Sequence, residues 1–243
     1  MKKKEIALEL VFGIHPIIEL LRAKKRKIVG LYTTQPVPKQ WHTIQALLPS
    51  YPVEIKHVTR DALSRLAGST DHQGVVAYAQ PFGLHAKPFD AQKYPSLIVL
   101  DGIQDPRNLG AIIRSASCTN TSGVLITAKN SAPLNAVALK ASAGLAEQIP
   151  IRIVPSAEIA AQELKEAGYS IYCGLFGGTD ARTVNFKKPY ALVIGSEGSG
   201  ISAPLKKVGT AITVPQRVPD ISYNASVAAG ILLFAAASKV EQL

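Results

Sequence analysis

Ser96-Leu-Ile-Val-Leu-Asp-Gly-Ile-Gln-Asp-Pro-Arg-Asn-Leu-Gly110 is the stretch that decides the fold. The four residues after Ser96 are apolar without the in-and-out alternation of a half-exposed strand, as expected of a strand covered on both faces of a parallel sheet. The turn dipeptides Asp101-Gly and Asp105-Pro follow. Leu109, Ile112, Ile113 and Ala116 then recur at i, i+3, i+4 and i+7, which predicts a helix over Ala111–Thr119 with its apolar stripe on the sheet. Further strands are expected at 123–127, 151–154, 170–175, 191–194 and 211–214, most of them separated by helices such as Ser156–Ala167, which Gly168 stops. The alternation gives an α/β domain with a mostly parallel sheet, whose ligands collect at the carboxyl ends of the strands.

Upstream, Ile14, Ile17, Ile18 and Leu21 have helical period, with Pro16 suited to a first turn. A basic cluster, Arg22-Ala-Lys-Lys-Arg-Lys27, precedes a strand at 28–32. A helix at 39–48, a strand at 53–58, a helix capped by Thr59 and closed by Gly68, and a strand at 74–79 complete a small α/β unit over residues 1–80. Residues 81–95 hold three prolines and little periodicity, and read as a linker to a second domain over 96–243.

The formal charge of +10 and the pI near 9.6 point to a polyanionic partner such as RNA or DNA. Cys118 and Cys173 lie far apart, which fits a reduced, cytoplasmic protein. The five histidines have no metal-ligand spacing, so no metal is expected. No apolar run approaches 18 residues and no secretory leader is recognisable, so no membrane association is expected either.

Three loops could carry chemistry. In the first, Arg114 lies off the apolar stripe, four residues after Gly110 on the same side, so nothing bulky is expected between the guanidinium and an approaching ligand; a plain surface arginine is the alternative. One of Asp101 and Asp105 is expected to cap a turn, the alternative being a carboxylate pair or metal ligands. The second loop, Gly195-Ser-Glu-Gly-Ser-Gly200, has glycines in the order G-x-x-G-x-G, reversed from the dinucleotide fingerprint. The third runs Val214-Pro-Gln-Arg-Val-Pro-Asp-Ile-Ser-Tyr-Asn-Ala-Ser226. Its two prolines exclude helix and central strand, and Ser222 or Asn224 is placed to cap the apolar helix that follows.

In combination, Asn108-x-Gly110-x-x-x-Arg114, Gly195-Ser-Glu197-Gly198 and Val214-Pro…Ser222-Tyr-Asn224-Ala-Ser226 resemble, in order and separation, the three motifs of the SpoU (TrmH) family of RNA ribose 2'-O-methyltransferases. The resemblance covers residues 96–243. Phe12-Gly-Ile-His-Pro-Ile-Ile-Glu-Leu-Leu21 and Asp71-His-Gln-Gly-Val-Val-Ala77 resemble the substrate-binding extension of members that methylate guanosine in large-subunit rRNA. It implies a SPOUT-type α/β fold with a C-terminal trefoil knot, S-adenosylmethionine as cofactor and a homodimer that acts on RNA. By motif, the catalytic residues fall on Arg114, Asn108, Glu197, Ser222 and Asn224. Cofactor contacts fall on Gly195, Ser196, Gly198, Val214, Tyr223 and Asn224. A tRNA substrate, or a non-catalytic RNA-binding or ribosome-assembly role, are the alternatives. The third motif departs from the family pattern at Gln216 and Val218, where Met and Gly are usual, and at Tyr223 and Ala225, where Leu and Val are usual; Pro219 stiffens it further.

Overall fold

The computed structural model describes residues 7–218 and 221–240. Two sheets are formed. The smaller has four strands, β1 (Glu9–Phe12), β2 (Ile28–Thr33), β3 (Glu54–His57) and β4 (Val75–Ala79), in the order β1-β4-β2-β3. β4 runs antiparallel to β1 and β2, and β3 is parallel to β2. Helices α1 (Ile14–Ala23) and α2 (Trp41–Ala46) bury Ile17, Leu20 and Ile44, whereas α3 (Arg60–Ala67) packs Leu63 on Phe12 and Val76. As the sequence predicts, the Thr59 hydroxyl accepts from Ala62 N at 3.2 Å, and Gly68 closes α3 in the left-handed region.

The larger sheet is parallel throughout, in the order β10-β8-β9-β5-β6-β7. Its strands are β5 (Ser96–Asp101), β6 (Gly123–Thr127), β7 (Ile151–Val154), β8 (Ser170–Asp180), β9 (Tyr190–Gly195) and β10 (Thr210–Thr213). Every residue of β5 and β6 is buried, which accounts for their unbroken apolar runs. The chain builds β5, β6 and β7 outward on one side and then returns to build β8, β9 and β10 on the other. β5 and β9 therefore flank the switch point, where loops diverge and leave a crevice. The helices are α4 (Pro106–Cys118), α5 (Ala136–Ala141), α6 (Ala157–Glu166), α7 (Ala203–Val208) and α8 (Ala225–Lys239).

Two details of the first motif differ from the reading of the sequence. α4 begins at Pro106, five residues before the expected start, because Asp105 caps it by accepting from Arg107 N at 2.8 Å and proline fits a first turn. Gly110 does not open space for a ligand. It is buried against α5, and a methyl there would collide with the Ala138 carbonyl oxygen and stand 2.6 Å from Ala141 Cβ. The glycine is what lets the two helix backbones approach.

One continuous core joins the two sheets, from Ile17 and Leu31 to Leu109 and Leu232. The segment from α5 to the 3-10 turn Leu145–Glu147 is the platform for this contact. Lys140 Nζ donates to Gln73 Oε1 at 2.7 Å, and the same oxygen accepts from Ile14 N at 3.1 Å. Arg26, in the middle of the basic cluster, turns inward instead of facing solvent. It is 7% exposed, with Nε and Nη2 on Glu147 Oε1 at 3.1 and 2.6 Å and Nη1 on Glu9 Oε2 at 2.7 Å. Lys24, Lys25 and Lys27 remain exposed. The segment 81–95 is pinned along β7: His85 N donates to the Ile151 carbonyl at 2.7 Å, Arg152 Nη1 donates to the Ala86 carbonyl at 2.7 Å, and the Phe89 ring lies over Gly123.

A buried ion pair tolerates joint replacement far better than loss of one member. Glu147→Ala should therefore lower unfolding stability by about 3 kcal/mol, because Arg26 is left buried with only Glu9 as its carboxylate. The double variant Arg26→Met/Glu147→Leu should lose much less. Urea unfolding midpoints of the three proteins check this.

Candidate active site

At the switch point the three loops meet. β9 ends in a tight turn in which Ser196 and Gly200 exchange backbone hydrogen bonds (3.2 and 3.0 Å), and Ser196 Oγ accepts from Ser199 N at 3.1 Å. Gly195 is required here, since a methyl would collide with the Gly200 and Ile201 backbone. At Gly198 a methyl would meet nothing within 4 Å, so the outer side of the turn is open. Asp101 anchors the base of the turn, accepting from Ser202 N at 2.6 Å and from Thr127 Oγ1 at 3.0 Å. Of the two aspartates, one is a cap, as expected: Asp105 caps α4, whereas Asp101 ties β6 to the segment after β9.

Glu197 carries the convergence. Its Oε1 accepts from Asn108 Nδ2 at 2.8 Å, from Asn224 Nδ2 at 2.9 Å and from Ala225 N at 3.4 Å, and Asn224 Nδ2 also reaches Asn108 Oδ1 at 3.2 Å. One carboxylate oxygen thus ties the start of α4, the glycine turn and the start of α8. The oxygen of Asn224 meanwhile caps α8, accepting from Ser226 N at 2.9 Å, so Asn224, and not Ser222, is the cap.

Beside this knot of hydrogen bonds lies a cleft of about 580 Å³. Gly195, Ser196, Glu197 and Gly198 line one wall, and Val214, Ser222 and Tyr223 another. Asn108 and Asn224 stand at its rim through Glu197. Gln216 Nε2 donates to the Val218 and Ile221 carbonyls at 2.6 and 2.7 Å, so the departure at Gln216 works as a staple for the third loop. Pro219 lies outside the described residues. Arg114 is exposed on α4, is not among the residues lining the cleft, and has no ion pair among the described residues. Sequence reasoning missed Leu175, Phe176 and Lys206, which also line the cleft. Lys206 sits in a six-residue helix too short to show a period, and β8 runs five residues beyond the stretch whose apolar pattern marks it. Cys173 is buried under α7 and its thiol pKa is pushed up to about 11 by burial, so it is a packing residue and not a nucleophile.

A cleft of this size suits a cofactor or small ligand. Its apolar walls (Leu175, Ile194, Val214, Leu232) and bordering backbone amides fit a flat heteroaromatic ring with a polar tail. Among the described residues, no group of three or more His, Cys, Asp or Glu could hold a metal ion, and no helix is long and apolar enough to cross a membrane.

The family model described as the SpoU rRNA Methylase family matches residues 95–234, the part of the chain that builds this cleft. The chain belongs to that family. A second model, RNA 2'-O ribose methyltransferase substrate binding, matches residues 10–84, so this SpoU methyltransferase carries the extension on its smaller sheet. The 23S rRNA (guanosine-2'-O-)-methyltransferase RlmB of Shewanella oneidensis is 31% identical over 97% of this chain and 98% of its own length. A crystal structure of an AdoMet-bound rRNA methyltransferase from Sinorhizobium meliloti superposes with a TM-score of 0.78 at 25% identity, covering 94% of this chain and 86% of the other. The SpoU methyltransferase AviRb from Streptomyces viridochromogenes shares the fold, with a TM-score of 0.81 at 21% identity over 96% of this chain and 90% of the other.

Two roles of Asn224 in this SpoU methyltransferase can be separated. Asn224→Ala removes the helix cap and should cost about 0.5–2 kcal/mol of stability. Asn224→Ser keeps a capping oxygen but has no amide to reach Glu197, so its stability should stay near wild type while methyl transfer falls as far as in the alanine variant. Urea midpoints and initial rates on the same preparations distinguish the two.

Proposed function

We propose that the protein transfers a methyl group from S-adenosylmethionine to the ribose 2'-hydroxyl of a guanosine in large-subunit rRNA, and that it does so as a cytoplasmic homodimer. The observation that carries this reading is the single Glu197 oxygen that gathers donors from the first and third motifs onto the second, at the rim of a cleft with the size and lining of a cofactor site. The 31% identity to RlmB along nearly the whole chain supports the substrate, and the AdoMet-bound neighbour supports the donor.

In this reading the backbones of Gly195, Ser196, Gly198, Val214 and Tyr223 hold the cofactor, which supplies when bound a methyl group on a sulfonium centre. Alignment of the ribose with that methyl contributes most, on the order of 7–11 kcal/mol. Asn108, Glu197 and Asn224 provide it by fixing the two loops against each other. Ser222, exposed on the cleft wall, would relay the 2'-hydroxyl proton to water, giving up its own hydroxyl proton as it takes that one, while the ribose oxygen gains the methyl and the bonding pair of the broken carbon–sulfur bond stays with sulfur. Arg114 is permanently charged and so serves as a phosphate clamp that polarises the 2'-oxygen, not as a base.

Because Arg114 does not line the cleft of its own chain, it is supplied by a second copy. α4 packs beside α8, and α8 presents Val227, Ile231 and Phe234 at i, i+4 and i+7 with 47%, 39% and 61% exposure. Such an apolar stripe on the outside of a helix needs a cover. The smaller sheet, with its share of the positive charge, holds the RNA through phosphate contacts.

Radiolabelled S-adenosylmethionine incubated with rRNA should label the ribose; RNA binding without transfer would favour an assembly role. Arg114→Lys should lower kcat/KM by about 10–100-fold, since an ammonium cannot make the bidentate phosphate contact. Mixing inactive Arg114→Ala with inactive Glu197→Ala chains should restore part of the activity, and no restoration would place Arg114 and its cleft in one chain.

A further inference from the structure

One end of the smaller sheet carries a feature that the methyl-transfer site does not use. Side chains alternate across a strand, and β1, β4, β2 and β3 are in register, so Phe12, Val76, Tyr32 and Lys56 form one row on a single face. Leu10, Tyr78, Gly30 and Glu54 form the next row of that face. α3 covers the Phe12–Val76 end through Leu63. At the other end the cover is made of rings. Tyr32 and Tyr78 meet edge to face with centroids 5.8 Å apart, and the Tyr32 ring lies 3.5 Å from where a side chain at Gly30 would begin. Both tyrosines are only half-buried, and Leu8, which continues the Leu10–Phe12 alternation, is 42% exposed. Lys56 Nζ lies 5.8 Å from the Tyr32 ring centroid and 3.0 Å from Glu54 Oε1.

Charge says what suits this face. Residues 1–80 contain twelve Lys and Arg against six Asp and Glu, so a third of the chain carries six of its ten net positive charges. Lys27, exposed immediately before β2, is tied to Gln80 through its backbone at 3.2 and 2.9 Å and carries its Nζ 5.7 Å from the Tyr51 ring centroid, so Lys56 is the cation placed on the Tyr32 ring. Half-exposed rings with a lysine beside them, on a unit of net positive charge, fit a ligand that offers flat π-faces on an anionic backbone. Single-stranded nucleic acid has this form, with bases stacking on the rings and phosphates meeting the cations. A duplex does not, because its bases are already stacked.

We infer that the Tyr32–Tyr78 face is a stacking platform for unpaired bases of the RNA substrate, with Lys56 on the adjoining phosphate. The inference rests on the RNA methyltransferase reading and adds to it the substrate's local form, a loop or single-stranded stretch. Glu54 neutralises Lys56 in the free protein, so its removal should strengthen binding, the reverse of what a loss of packing would do.

The test measures binding of the full-length protein to a single-stranded oligoribonucleotide and to a duplex of the same length, alongside methyl transfer to rRNA. The single strand should bind more tightly than the duplex. Tyr78→Leu should weaken single-strand binding about 5–100-fold, Tyr78→Phe should retain it, and Glu54→Gln should tighten it about 2–5-fold. With rRNA as substrate, Tyr78→Leu should raise KM while kcat and the affinity for S-adenosylmethionine stay near wild type. Equal binding by wild type, Tyr78→Leu and Glu54→Gln, or a preference for the duplex, would overturn the platform and leave the methyltransferase reading standing. If the wild-type protein neither binds RNA nor transfers methyl to it, both fall.

Discussion

A single carboxylate oxygen organises the site. Glu197 Oε1 takes hydrogen bonds from Asn108, 89 residues earlier, and from Asn224, 27 residues later. A charged acceptor makes each such bond stronger than a neutral one would be, by roughly a factor of two. The energy is modest at an exposed position, but the geometric consequence is large. The start of α4, the glycine turn and the start of α8 cannot shift independently while this oxygen is shared, and the cleft wall takes its shape from two of those three.

The scaffold beneath is arranged to place that oxygen. Buried strands β5 and β9 lie side by side at the switch point, so the loops after them emerge together, and Asp101 fastens the second loop through Ser202 N. Gly110 then lets α4 lie against α5, whose Lys140 reaches the smaller sheet at Gln73. The unit assigned to RNA is thereby in mechanical contact with the helix that bears Asn108 and Arg114, through groups whose burial and hydrogen bonds leave little slack.

Much of this was legible in the sequence because it follows from local rules. Unbroken apolar runs marked β5 and β6, a threonine before an apolar period marked the cap at Thr59, the start of α8 was narrowed to Ser222 or Asn224, and the order of three short motifs pointed to one site. What escaped depends on tertiary contact. Gly110 looks the same in one dimension whether it faces a ligand or another helix, and only the neighbouring Ala138 carbonyl decides. Arg26 belongs to a basic cluster in sequence but is drawn inward by Glu147, 121 residues away. α5, α7 and β1 are too short to show a period, and whether Arg114 serves its own cleft or a partner's has no signature in the order of residues.

The most direct measurement is a crystal structure of the protein grown with S-adenosylmethionine. The account predicts the ligand in the cleft between the Gly195–Gly200 turn and the Val214–Tyr223 loop, its methyl directed toward the Glu197 rim, with the Arg114 guanidinium of a second copy facing it. Density for the ligand elsewhere on the chain, or in that cleft with no Arg114 of a second copy within reach of the methyl, would contradict it.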